Sequence, residues 1–175
     1  YCYHLIREFI ESFRFDINNI YISGVVGNES RFDSRDFHTN INSEAKNSID
    51  FMIYEMLKVY FEKIPEVTSN LFENVLKIND NFNILAIHGD KINQSNIDNE
   101  ISKLKLKIFN ERREYIDYVI LGHIHSTLIT DKYARNASLV GADEYGLNIP
   151  ESYVSQLFGV VCDKDIHVFS IRLDK

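Results

Sequence analysis

The stretch Val119-Ile120-Leu121-Gly122-His123-Ile124-His125-Ser126 limits the folds open to this chain more than any other. Val119, Ile120 and Leu121 read as a buried strand, and Gly122 lets the backbone turn sharply at its end. Two imidazoles, one residue apart, then stand at the mouth of that strand. In extended chain, residues two apart project to the same side, so His123 and His125 are expected to present ring nitrogens to one small volume. One metal ion, or a close pair, fits such a place.

Two further stretches repeat the design. Asn83-Ile84-Leu85-Ala86-Ile87-His88-Gly89-Asp90 is again an apolar strand that stops at a histidine followed by glycine. Ile20-Tyr21-Ile22-Ser23-Gly24-Val25-Val26-Gly27-Asn28-Glu29-Ser30-Arg31 is a β-branched strand that ends in Gly-Asn and polar residues. Three strands are thus expected to deliver Asn28, His88, and His123 with His125 from their C-terminal ends. In open α/β sheets that edge is where ligands bind, because its loops can be reshaped without disturbing the core.

In order and type these residues resemble the calcineurin-like metallophosphoesterases, in particular the C-terminal part of the domain in phage and bacterial members. That family's pattern runs Asp-x-His, Gly-Asp-x-x-Asp, Gly-Asn-His, a histidine commonly followed by glycine, and Gly-His-x-His. The last three correspond here to Gly27-Asn28-Glu29, His88-Gly89 and Gly122-His123-Ile124-His125, and a segment similar to Ser138-Leu139-Val140-Gly141 is frequent in such members. The resemblance implies an αββα sandwich and a metal-dependent hydrolase, that is, a phosphatase or phosphodiesterase. It further implies two divalent metal ions drawn from Mn, Fe, Zn, Ni or Co, with Asn28, His88 and His123 on one ion and His125 reaching its neighbour. Imidazole and amide oxygen suit such ions, and two of them can bind phosphoryl oxygens and activate a bridging water. The implied substrate is a phosphoester: a nucleotide, a nucleic-acid end or a small phosphoester.

The chain departs from that pattern twice. It starts at Tyr1, beyond the first two motifs, so the expectation is a single, N-terminally truncated domain over residues 1–175 with one metal site incomplete. Glu29 stands where the family carries the histidine that protonates the leaving group. A carboxylic acid donates a proton only when burial or a neighbouring negative charge raises its pKa, whereas nearby metal ions lower it. Glu29 and Arg31 are the catalytic candidates, Arg31 as a donor to a phosphoryl oxygen. The alternative from another class is a degenerate, inactive phosphoesterase fold that serves as a binding or assembly module. A structural, one-metal histidine site is a third possibility.

Composition narrows the field further. The chain has 175 residues, of which 45% are hydrophobic, enough for one domain with a core. A net charge of −7 argues against a general polyanion-binding surface. Cys2 and Cys162 form neither a metal spacing nor a disulfide framework, no apolar run has the length of a membrane span, and a cytoplasmic location is expected.

Periodicity then assigns the elements. Tyr1–Phe13 reads as an amphipathic helix packed on the sheet, and residues 32–40 as a loop. Ser43 is expected to cap a helix from Glu44 to the Ile64-Pro65 stop, whose stripe Ile49, Met52, Ile53, Met56, Leu57, Tyr60 and Phe61 is core. Leu71–Ile78 and Phe82–Ile87 flank a hairpin turn at Asn79-Asp80-Asn81, and Asn93–Glu114 is a surface helix with one buried stripe. The strand, helix, strand succession to Tyr115–Leu121 predicts a parallel crossover. Thr127–Thr130, Ala137–Val140, Tyr153–Cys162 and Ile166–Leu173 are further strands, the last two joined at Asp163-Lys164-Asp165. Asp165-Ile166-His167 mimics the absent first motif and is read as part of that hairpin tip.

Overall fold

The computed structural model describes residues 2–12, 22–28, 30, 47–61, 67–69, 73–139 and 153–173. Its contacts fall into two compact units, Tyr1–Asn74 and Val75–Lys175. The first holds helix α1 (Cys2–Ser12), strand β1 (Ile22–Gly24), helix α2 (Ile49–Tyr60) and strand β2 (Val67–Ser69). β1 and β2 pair in parallel, with Ile22 opposite Val67.

α2 starts at Ile49, where Ser48 accepts a hydrogen bond from the Phe51 amide at 3.1 Å, and it ends at Phe61. The Ser43 cap and the Ile64-Pro65 stop fall outside the described residues. The expectation of a core stripe on this helix is corrected: Leu57 is buried, but Ile49, Met52, Met56, Val59 and Tyr60 are exposed. Polar contacts explain the rotation. The Asp50 carboxylate accepts from the Gly27 amide (2.9 Å) and the Ser30 hydroxyl (2.6 Å), and Tyr54 donates to the Val25 carbonyl (2.9 Å). Those bonds turn the Asp50, Tyr54 and Leu57 face inward, and the apolar residues at the next helical spacing are left outside. A side chain at Gly24 would sit within 2.4–2.7 Å of the Tyr54 ring, so only glycine admits that ring. α1 packs on α2: Arg7 lies over the Tyr60 ring (5.2 Å), and Tyr60 donates to Glu11 at 2.5 Å.

The second unit is organised on a five-stranded sheet of order β3-β4-β5-β7-β6. Its strands are β3 (Glu73–Asn79, from Val75 onward in this unit), β4 (Phe82–Ile87), β5 (Tyr118–Leu121), β6 (Leu128–Ile129) and β7 (Tyr133–Arg135). β3 and β4 meet at a tight turn over Asp80 and Asn81, where the Asn79 side chain accepts from the Asn81 amide at 2.8 Å. Helix α3 (Ile97–Arg112) carries the chain from β4 to a parallel partner, β5, the predicted crossover. Its Ile101 and Ile108 are buried against Leu85, Ile87, Val119 and Leu121. The opposite parity, Phe82, Ile84 and Tyr118, faces Leu157, Val161, Ile166 and Val168 of the hairpin β8 (Ser155–Cys162) and β9 (Asp165–Arg172). This unit is therefore helix, mixed sheet and second sheet in layers, an α/β fold.

Three other sequence expectations are revised. Residues 137–139 are not strand; the strand there is Tyr133–Arg135, which pairs in parallel with β5. β5 begins at Tyr118 rather than Tyr115, because Tyr115 is solvent-exposed and stacks beside Phe109 at a 4.5 Å ring separation. β1 stops at Gly24, short of the Gly27-Asn28 turn. The hairpin turn at Asp163-Lys164 is as expected, and Asp165 and His167 pair across it with Cys162 and Val160.

Candidate functional site

β4 and β5 run side by side and end level, Ile87 opposite Leu121. His88 and Gly122 therefore leave the sheet as neighbours, and the Gly122 amide donates to the His88 carbonyl at 2.9 Å. The rings of His88 and His123 meet edge to face with centroids 5.1 Å apart. Gly89 makes this approach possible. Its φ of +107° is one that L side chains rarely adopt, and a Cβ there would press on Leu121 at 3.3 Å and the Gly122 carbonyl at 3.4 Å.

The extended-chain argument for His123 and His125 does not hold. Both have positive φ, 71° and 59°. The Ile124 amide donates to the Gly122 carbonyl at 2.9 Å, so His123 sits at the centre of a three-residue turn with the φ of the strained, classic γ form. Among the described residues the other non-glycine positive φ values fall at Arg113, which ends α3, and Asp163, in the hairpin turn. Those two positions use a left-handed residue to end a helix and to close a hairpin; the two histidines follow the end of a strand. A non-glycine residue in this region costs of the order of 1–2 kcal/mol and persists only where its surroundings impose it, a pattern concentrated at functional sites.

Sequence alone did not identify the side chain that bonds to the end of this turn. Arg135, the last residue of β7, donates from Nε to the Ser126 carbonyl (2.9 Å), from Nη2 to the Ser126 hydroxyl (2.9 Å) and from Nη1 to Gln94 (3.0 Å). Burial pushes its pKa down, so its acceptors hold a cation that water solvates only in part. The nearest signal was the Tyr133-Ala134 pair after the Asp131-Lys132 turn, too short to read as a strand.

Whether these residues suit a metal ion is a matter of donor chemistry and spacing. Two imidazoles bound through nitrogen at about 2.0–2.1 Å to one tetrahedral ion have ring centroids roughly 5 Å apart, which the His88–His123 pair matches. The pair is two donors of the three or four that a held ion takes. Among the described residues no three His, Cys, Asp or Glu side chains gather as a metal-binding group. Asn28 follows β1 in the first unit, whereas His88, His123 and His125 belong to the second. Glu29 and Arg31 lie outside the described residues. Among the described residues no helix is long and apolar enough to cross a membrane.

No family model matches the chain, and no curated protein matches it. Among solved structures, the chain is similar to Vps29 of Entamoeba histolytica. The wild-type protein complexed with zinc aligns at 16% identity and a TM-score of 0.45, over 71% of this chain and 76% of that one. A doubly substituted form gives 15% identity and 0.46 over 87% and 97%, and a singly substituted form 13% and 0.47 over 88% and 98%. Likeness at this level is one of chain trace and decides neither family nor chemistry.

Proposed function

We propose that this chain is part of a metallophosphoesterase-type domain of αββα architecture that hydrolyses phosphoester bonds, with His88 and His123 as adjoining ligands of a divalent ion. The observation that supports this most is the close edge-to-face pairing of those two rings at the ends of adjacent parallel strands, one of them on a strained turn. Edges of this kind are where α/β sheets bind ligands. The resemblance assigns Asn28 to the same ion and His125 to a second one. Bound there, divalent ions supply charge for the phosphoryl oxygens and lower the pKa of a coordinated water. The protein's share is to hold the imidazoles at fixed spacing, and in the same reading Arg31 donates to a phosphoryl oxygen and Glu29 faces the leaving group. The substrate class is a nucleotide, a nucleic-acid end or a small phosphoester, and the location is cytoplasmic.

The test is hydrolysis of p-nitrophenyl phosphate and bis(p-nitrophenyl) phosphate with added Mn(II). His88→Ala and His123→Ala are each expected to lower kcat/KM at least 100-fold, and Asn28→Ala to weaken metal affinity on the scale of 10–100-fold. Activity that survives both histidine changes would overturn the assignment. A second reading, a binding or assembly module on the same fold, is favoured by Glu29 in the place of the family's proton-donating histidine. Its signature is failure to take up two ions together with no turnover of either substrate.

A further inference from the structure

We infer that Arg135 is a positioning residue that joins the His88 turn to the Gly122–Ser126 turn, so that a side chain from a third strand sets the spacing of the two imidazoles. The inference rests on the reading that His88 and His123 act as a pair. A run of hydrogen bonds carries it. The Ile92 amide donates to the carbonyl of Gly89, the residue after His88, at 3.1 Å, and Gln94 Nε2 donates to the Ile92 carbonyl at 3.3 Å. Gln94 Oε1 accepts from Arg135 Nη1 at 3.0 Å, and Arg135 closes on both the carbonyl and the hydroxyl of Ser126, the residue after His125, at 2.9 Å.

Arg135 is placed for this by the sheet. It pairs with Leu121 across the β5–β7 ladder, and the Asn136 amide donates to the Leu121 carbonyl at 2.8 Å. The guanidinium is therefore anchored at the level where β5 ends. Its planar fork reaches two sides at once, which an ammonium on a flexible stem does not. All of its acceptors here are neutral groups, so its charge strengthens bonds to the two turns instead of being matched to a carboxylate. This is the kind of imposed environment that two left-handed histidines need in order to persist.

The test uses the full chain, 15N-labelled and free of metal, with histidine ring signals read by long-range 1H–15N correlation. Gln94→Ala, which truncates a half-buried side chain in the turn ahead of α3, is the variant chosen to leave folding intact. It is expected to shift the ring signals of His123 and His125 as well as His88, while His167 on the exposed hairpin stays in place. Arg135→Met is expected to shift the same three rings further, and Arg135→Lys not to restore them. If Gln94→Ala moves His88 alone, or no ring at all, the coupling through Arg135 is overturned. Titration with Co(II) alone then separates this inference from the functional reading. Cobalt affinity at least tenfold weaker in Arg135→Met supports the positioning role, and equal affinity overturns it. A parent chain with coupled ring signals that takes up no cobalt overturns the metal reading and supports the positioning role as a property of the turns themselves.

Discussion

His123 shows at the scale of one residue how function and stability pull apart. Its φ of 71° is comfortable for glycine and costly for an L-residue, whose Cβ crowds the backbone there. Replacing it with glycine relieves that strain but enlarges the unfolded ensemble, so the net gain is about 0.5–1 kcal/mol. His123→Gly is accordingly expected to raise the denaturation midpoint in urea while losing Co(II) binding. A variant less stable than the parent would show that the turn is unstrained. The order of chemical types along the chain singled out His88 and His123 because each stands just past an apolar run. It could not reveal the positive φ, which belongs to a turn that meets the His88 carbonyl at Gly122 and Arg135 at Ser126, both distant in sequence.

At the scale of elements, α2 is oriented by a few polar bonds rather than by its apolar stripe. Tyr54 is the sensitive reporter of that docking. Burial, with a lesser contribution from the Asp50 charge, pushes its phenol from 10.0 up to about 12. A raised folded pKa means that the stability Tyr54 contributes is fully present below pH 10 and is lost as pH rises through about 12. The loss corresponds to roughly 2–3 kcal/mol over that window. Tyr54→Phe removes the bond to the Val25 carbonyl and is expected to cost about 1–2 kcal/mol at pH 8. Because the variant lacks this titration, its deficit relative to the parent should close as pH approaches 12, as measured by chemical denaturation at a series of pH values. A constant deficit would mean that the phenol is not buried on the Val25 turn. α3 is the contrasting case: its buried residues, Ile101 and Ile108, are those its periodicity marked, because its other faces are charged and leave only one way to pack.

At the scale of the whole second unit, alternation in β8 and β9 packs the half-buried Leu157, Val161, Ile166 and Val168 against the central sheet and turns the opposite parity to solvent. Phe158 and Phe169, directly paired across the hairpin, are 53% and 52% exposed, beside exposed Val160 and Ile171. Threonine at both phenylalanine positions keeps β propensity and forfeits one cross-strand pair, a cost of up to about 1 kcal/mol. That double variant is expected to bind less of the dye 8-anilinonaphthalene-1-sulfonate and to keep its cooperative unfolding. Unchanged dye binding would show that this face is not the exposed apolar surface. Features that depend on neighbours a few positions apart could be read directly: the turn at Asn79–Asn81, the helix over 97–112, the crossover from β4 to β5, and the histidines at the strand ends. They follow from alternation, helical period and turn chemistry, which are local. The inward face of α2, the slot that Tyr133-Ala134-Arg135 fills beside β5, and the backbone of the histidine turn could not be read in this way. Each involves groups distant in sequence, Asp50 with Gly27, Leu121 with Arg135 and His88 with Gly122, which meet only once the chain has folded.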